Sequence, residues 1–296
     1  MKKIILLLSV IMLIVSLSVV GFMGCQGKTS LTQIFQEYDI FGEAKFPETF
    51  TYDMFEGEST TSIGTLTMTV EKLTTSTTYY LGKDGMSDEA NAIYAVTSAP
   101  ANATYKATTT LALADGSYSQ TNIAIFANNY KLLGSYSKTV KGDKTTAYVS
   151  YVEDGKKYKF RTNADWDNEE SIKTGKYASS PYFDNTMVYY VARNMPNMSE
   201  YASFSFNIFN HDTVDKESVA LTNYVVNDVE DAYLINYKEN GETKSTACRK
   251  ITMKTSDALL GVTNSVECYI SCEKIGSSKQ VITKIIEGNY NYVLTK

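Results

Sequence analysis

The sequence predicts a mainly β protein of the α+β class, in which antiparallel strands form a strongly curved sheet crossed by one helix, with a short helix at the N-terminus. Apolar and polar residues alternate with a period of two in segments from about residue 50 onward, which is typical of strands with one buried face. Two Asx-Gly pairs, Asp154-Gly155 and Asn240-Gly241, separate such segments and indicate hairpins. The composition, with 23 tyrosines and only 4 prolines, also favours sheet.

The first element is an export signal, which we assign to residues 1–24. Lys2 and Lys3 precede an almost wholly apolar run over residues 4–20, and the chain turns polar directly after Cys25. The tetrapeptide that ends in this cysteine, Phe-Met-Gly-Cys, resembles the lipobox of bacterial lipoproteins, in which the cysteine receives fatty acyl chains such as palmitate and becomes the new N-terminus. An uncleaved N-terminal anchor is the alternative, since the segment from Ile4 to Met23 is just long enough to span a bilayer.

A lipid on Cys25 implies an extracytoplasmic protein anchored in a cell membrane, because several acyl chains anchor stably. The formal net charge is −5, and loss of the two signal lysines makes it more negative. This balance argues against nucleic acid as a partner, since nucleic-acid binding requires a basic surface. A bidentate clamp on phosphate or carboxylate has few candidates, because the chain has only three arginines, Arg161, Arg193 and Arg249.

Residues 25–49 form the lipidated N-terminus and a short helical lead-in. Apolar residues recur there at intervals of three and four, and Ser30 and Gln33 are spaced as a capping box. The residues of the apolar face are Leu31, Ile34, Phe35, Tyr38 and Phe41.

Residues 50–296 form the β-rich domain. The segment "GTLTMTVEKL" alternates strictly, and so does "YASFSFNIF", where Phe204 and Phe206 occupy the apolar positions. Between the strand groups, "SPYFDNTMVYYVARNMPN" has the pattern of a helix. We expect Asp184 to cap this helix and Met195-Pro196 to end it, so that it lies across one face of the sheet.

The order of these segments resembles that of uncharacterised exported bacterial proteins whose fold is a half-open β-barrel, similar to the periplasmic lipoprotein carriers. In that family an Asp, an aromatic pair and an Arg recur on the helix, and Asp184, Tyr189, Tyr190 and Arg193 match them. The resemblance covers residues 50–296 and implies a concave face that holds hydrophobic molecules. The chain departs from the family by its own lipobox and its many tyrosines.

After Cys25 the chain has three cysteines, Cys248, Cys268 and Cys272. On one strand Cys268 and Cys272 are too far apart for a disulfide, at about 3.3 Å per residue. A bridge from one of them to Cys248 requires neighbouring strands, and buried free thiols are the alternative.

Catalytic and metal-binding patterns give no candidate. His211, the single histidine, lies in a polar turn without a matched nucleophile and acid. Asp165, Asp167 and Glu169 alternate like the start of a calcium loop, but the turn glycine and the closing glutamate are missing. We therefore expect no enzyme activity, no cofactor and no metal.

The sequence leads to one functional expectation and one alternative. We expect a lipid-anchored, non-catalytic protein of the cell envelope that binds or carries an apolar, lipid-like ligand. Its candidate ligand-binding residues are Tyr189, Tyr190, Arg193, Phe204 and Phe206. The alternative is a surface interaction module for glycan or protein, because rows of tyrosines on a sheet can stack sugar rings.

Overall fold

A computed structural model describes Phe41 and residues 44–73, 78–80, 95–97, 104–127, 132–153, 157–162, 173–176, 183–195, 204–209, 221–259 and 263–295. The signal, Cys25, the helical lead-in up to residue 40, His211 and the acidic turn at residues 165–169 lie outside these ranges. The predictions made for them therefore stay predictions.

Strands dominate the described residues, and fifteen of them form one sheet. The first eight strands are β1 (Glu48–Glu56), β2 (Gly64–Leu73), β3 (Thr78–Tyr80), β4 (Ala95–Thr97), β5 (Thr104–Leu113), β6 (Tyr118–Ala127), β7 (Leu132–Lys141) and β8 (Lys144–Glu153). The others are β9 (Lys157–Thr162), β10 (Lys173–Lys176), β11 (Phe183–Asp184), β12 (Phe204–Phe209), β13 (Leu221–Glu239), β14 (Glu242–Leu259), β15 (Thr263–Ser271), β16 (Ile282–Glu287) and β17 (Tyr290–Leu294). Strands β3 and β4 pair separately.

The large sheet consists of two meanders joined at one seam. Its order is β10-β9-β8-β7-β6-β5-β2-β1-β17-β16-β15-β14-β13-β12-β11, so that neighbours in the sheet are almost always neighbours in sequence. The seam is the antiparallel pair of β1 with β17, in which Tyr52 lies opposite Leu294. All pairs are antiparallel except β11 with β12.

Curvature brings one edge of the sheet back to strands that lie near its opposite edge. The edge strand β11 contacts β7, and the turn after β11 contacts both β6 and β7. No pairing among the described strands joins β10 to β11, so the sheet is curled without being closed. The predicted fold class, a mainly antiparallel and strongly curved sheet, is confirmed.

The alternation read from the sequence corresponds to burial in the structure. In β1 and β2, every second residue from Glu48 to Met54 and from Gly64 to Val70 is buried, and the residues between them are more exposed. The buried positions line the concave face, where Phe50, Tyr52 and Leu66 belong to the hydrophobic core. Side chains of successive strand residues point to opposite faces, which is why a period of two produces one apolar face.

The helix between the two meanders is short and enclosed. A 3-10 turn, Asn185–Met187, leads into α1, Val188–Arg193, and all six residues of α1 are buried. The sequence pattern predicted a helix with one apolar face lying across the sheet. The structure instead surrounds the helix, and a helix buried on all sides requires that its polar groups find partners inside the protein.

The N-cap of α1 is a correction to the sequence prediction. Met187 occupies the N-cap position and no side chain caps the helix. Asp184 is the last residue of β11, separated from α1 by the 3-10 turn, so it is not the N-cap of the α-helix. Its capping of the 3-10 turn stays a prediction, because its side chain is outside the described part.

Both predicted hairpins lie where the sequence places them. Asn240 and Gly241 have φ values of 53° and 82° between β13 and β14, as a two-residue hairpin turn requires. At the other site, Glu153 of β8 lies opposite Lys157 of β9, on either side of the Asp154-Gly155 turn.

The three described cysteines are free thiols, of which Cys248 and Cys268 are buried and Cys272 is exposed. Cys248 lies opposite Ser271 on the neighbouring strand, and the next amide, that of Cys272, donates to Ala247 O at 2.9 Å. Burial raises the pKa of the Cys248 thiol to about 11, so this thiol stays protonated at neutral pH.

Candidate functional site

The candidate site is the concave face of the sheet around α1. Three of the residues that the sequence analysis selected, Tyr189, Tyr190 and Arg193, lie there, exposed by 5%, 1% and 2%. Each side chain contacts strands that are distant in sequence. Polar contacts inside the protein therefore join this one helix to the sheet around it.

Arg193 forms a bidentate ion pair with Glu48 of β1. Its Nη1 lies 2.7 Å from Glu48 Oε2 and its Nη2 lies 3.2 Å from Oε1. The remaining donors reach backbone oxygens of the loop between β15 and β16, with Nε 3.1 Å from Gln280 O and Nη2 2.9 Å from Lys279 O. The guanidinium thus joins the helix, β1 and this loop.

Aromatic rings surround the ion pair. The Arg193 guanidinium carbon lies 5.5 Å from the ring centre of Phe41 and 5.0 Å from that of Phe50, within the range of a cation–π contact. Phe41 in turn packs on a tilted cluster formed with Phe46, Tyr105 and Phe126. The cluster keeps water from the ion pair and strengthens its electrostatic attraction.

Tyr190 bonds to β5 through its hydroxyl group. The hydroxyl donates to Thr108 O at 3.0 Å, so the Thr109 hydroxyl, also at 3.0 Å, is left to donate to the tyrosine oxygen. Burial raises the pKa of Tyr190, which therefore stays neutral. Asn122 of β6 lies opposite Thr109 and is buried, and its Oδ1 has no hydrogen-bond partner in the described part of the chain.

Tyr189 bonds to a buried carboxyl group. Its hydroxyl donates to Glu287 Oε2 at 3.0 Å, whereas Glu287 Oε1 has no partner within the described ranges. Burial raises the pKa of Glu287 to about 7, although the hydrogen bond from Tyr189 acts in the opposite direction. Burial, with the Glu287 charge second, also raises the pKa of Tyr189.

Phe204 and Phe206 lie on β12, and the structure describes their backbone positions. Phe204 lies opposite Val226 of β13, which lies opposite Met253 of β14, a core residue. Phe206 lies opposite Tyr224. The two phenylalanines therefore occupy two different rows of the same sheet, and their part in a site stays a prediction.

A second feature, a cleft of about 370 Å³, lies beside the loop between β15 and β16. Arg249 of β14 lies at its base and donates from Nη2 to Met195 O and to Gln280 Oε1. The sequence analysis missed this cleft, although it named Arg249 among three candidates for an anion clamp. The other cationic residues of the cleft are the two lysines in the loop "CEKIGSSKQ". Lysines in loops are too common on protein surfaces for these two to be selected from sequence.

Neither a metal site nor a membrane-crossing helix is found in the described part of the chain. No group of three or more His, Cys, Asp or Glu there could hold a metal ion. None of its helices has the length and apolar character that a membrane crossing requires.

Fold and site define a half-open, β-barrel-like protein that encloses a helix. No family model matches the chain, and no curated protein is significantly similar to it. Among solved structures, it is similar to a beta-barrel-like protein of a domain of unknown function, DUF1849, from Brucella abortus. The two are 10% identical with a TM-score of 0.41, over 84% of this chain and 96% of the other.

Proposed function

We propose that this chain is a lipid-anchored, non-catalytic binding protein of the cell envelope, whose concave face holds a lipid-like molecule beside α1. The ligand lies against the helix on this face. It is apolar over most of its length and carries a few hydrogen-bonding groups, as an acyl ester does.

One observation supports this proposal above the others: the concave face combines an apolar lining with buried polar atoms that lack a protein partner. These atoms are Asn122 Oδ1, both side-chain polar atoms of Asn194 and Glu287 Oε1, all within the described residues. Leaving a buried polar group unpaired costs about 1–3 kcal/mol. A ligand or water that bonds to these atoms removes that cost.

The extent of the sheet also supports the proposal. Six helical residues extend about 9 Å at 1.5 Å per residue, whereas the sheet has fifteen strands. In the sequence, apolar residues alternate along β12 at Phe204, Phe206 and Ile208. An apolar face that one short helix does not cover is the usual place for an apolar ligand.

The test is to measure bound lipid in the whole protein. The full chain is purified in detergent, transferred to an amphipathic polymer, and analysed by native mass spectrometry and solvent extraction. We expect a copurifying apolar molecule at a fixed molar ratio. The variant Asn122→Leu should lower that ratio, and Thr121→Leu, on the other face of the same strand, should leave it unchanged.

Absence of any bound or acquired apolar molecule would reject the carrier function. The protein would then be better described by the alternative, a surface module for glycan or protein. In that case binding to a glycan array or to surface proteins of the same cell should be detectable with the same preparation.

The anchor is tested separately. Replacing Cys25 by Ala should abolish incorporation of a fatty-acid probe and leave precursor or released protein. Labelling that survives the substitution would exclude lipidation at this residue.

A further inference from the structure

The cleft beside the loop between β15 and β16 has the composition of an anion site. Its lining residues are Arg249, Ser271, Cys272, Glu273, Lys274, Lys279 and Gln280. Three of these side chains are cationic and one is anionic, in a protein whose net charge is −5. A local excess of positive charge on an acidic protein attracts anions to that place.

Arg249 is oriented by the protein before any ligand arrives. It is 2% exposed and donates from Nη2 to Met195 O, just after the end of α1, and to Gln280 Oε1. A guanidinium that is already fixed loses little entropy when it attracts an oxyanion.

The backbone of the loop is held in a strained conformation at the cleft. Gln280 has a φ of 51°, which is uncommon for a residue with a side chain. Its carbonyl accepts from Arg193 Nε and its side chain accepts from Arg249, so two buried arginines hold it there. Strain of this kind persists where the surrounding contacts impose it, and it is common at binding sites.

We propose that this cleft binds a phosphate group, with Arg249 at its base and Lys274 and Lys279 at its sides. The cleft is large enough for a phosphate with an organic substituent. The phosphate belongs either to a small soluble molecule or to a lipid headgroup. The proposal stands on the cleft alone and does not require that the concave face hold a ligand.

The exposed thiol of Cys272 provides a direct readout, because it lines the cleft, whereas Cys248 and Cys268 are buried. The full chain in a nonionic detergent is labelled with N-ethylmaleimide, and labelling at Cys272 is quantified by peptide mass mapping. One arm adds inorganic phosphate and the other adds dihexanoyl phosphatidylglycerol, each against sodium chloride at equal ionic strength. Phosphate binding should slow labelling at Cys272 in a saturable manner.

Protection by inorganic phosphate assigns the site to soluble phosphates, and protection by the phospholipid alone assigns it to a headgroup. The double variant Lys274→Gln/Lys279→Gln should raise the concentration for half-protection about tenfold, the effect of a lost charge-assisted contact. Lys141→Gln, at the exposed lysine that ends β7, should not change it. The proposal is wrong if neither compound protects Cys272 beyond the salt control, or if the double variant is protected as well as the unchanged protein.

Discussion

The interior holds two buried carboxyl groups whose surroundings differ. Glu48 and Glu287 are exposed by only 4% and 1%. Arg193 meets both oxygens of Glu48, whereas Tyr189 meets one oxygen of Glu287 and the other has no partner within the described residues. The ion pair of Glu48 with Arg193 fixes the helix to β1. A buried carboxyl group that meets a single neutral donor is easily kept protonated, so Glu287 responds to pH.

The largest effect is expected when the ion pair is broken from one side. Arg193→Met leaves the Glu48 carboxylate buried without its cation, and it should lower the free energy of unfolding by about 3–5 kcal/mol. Urea denaturation followed by circular dichroism measures this change. The double variant Arg193→Met/Glu48→Leu should recover most of the loss, and the exposed Lys141→Met should have an effect within about 0.5 kcal/mol.

The second prediction concerns the pH dependence of Glu287. Its pKa is about 7 in the folded protein and about 4.5 in the unfolded chain, so the folded state binds more protons in this range. Stability from this group is therefore complete below pH 4.5 and falls as the pH rises toward 7. At about 1.4 kcal/mol per pKa unit, the loss by pH 8 should be about 3 kcal/mol.

Glu287→Gln tests this prediction because an amide cannot ionise. The difference in unfolding free energy between variant and unchanged protein should move in favour of the variant as the pH rises from 4.5 to 8. Glu58→Gln, at an exposed glutamate, should show no such trend. A flat difference for Glu287→Gln would mean that this carboxyl group is ionised throughout the range.

Substitution of the two neighbouring tyrosines on α1 should affect the pH dependence of stability differently. Tyr190→Phe removes two neutral hydrogen bonds and should cost about 1–2 kcal/mol at any pH. Tyr189→Phe removes the donor that lowers the pKa of Glu287, so it should shift the pH-dependent loss of stability upward. Unfolding curves at a series of pH values separate the two outcomes, and identical profiles would contradict the assigned partners.

The smallest effect is expected at the start of the helix. Because the N-cap of α1 is Met187 with no side-chain cap, Asp184→Ala should cost less than the about 1 kcal/mol that is typical for loss of an N-cap residue. Ligand content measured by native mass spectrometry should not change. A loss of ligand at unchanged stability would place Asp184 in a binding site instead.

Sequence reasoning predicts the strands well because their signal is local. The alternation in β2 and the turn at Asn240-Gly241 depend on residues that lie next to each other, and both were found as expected. The helix was predicted at the correct place for the same reason, but its enclosure was not. Burial of its polar side depends on how far the sheet curls, which no single segment encodes.

The residue pairs that form the site could not be predicted from the sequence. Glu48 and Arg193 are separated by 145 residues, and Tyr189 and Glu287 by 98. They meet because β1 and β16 are close together in the sheet, with β17 between them. A family resemblance could select Tyr189 and Arg193, but only the folded structure shows that two glutamates are their partners.

The seam between β1 and β17 also sets a sequence of events in time. Each meander grows from hairpins between neighbouring segments, which close short loops and form early. The seam joins Tyr52 to Leu294, and it must wait until nearly all of the chain has been synthesised. Until then β1 is an unpaired edge on which other chains can add. A protein that lacks β17 should therefore form its two halves correctly and aggregate through the exposed edge of β1. Local fraying of an otherwise intact domain should be the smaller effect.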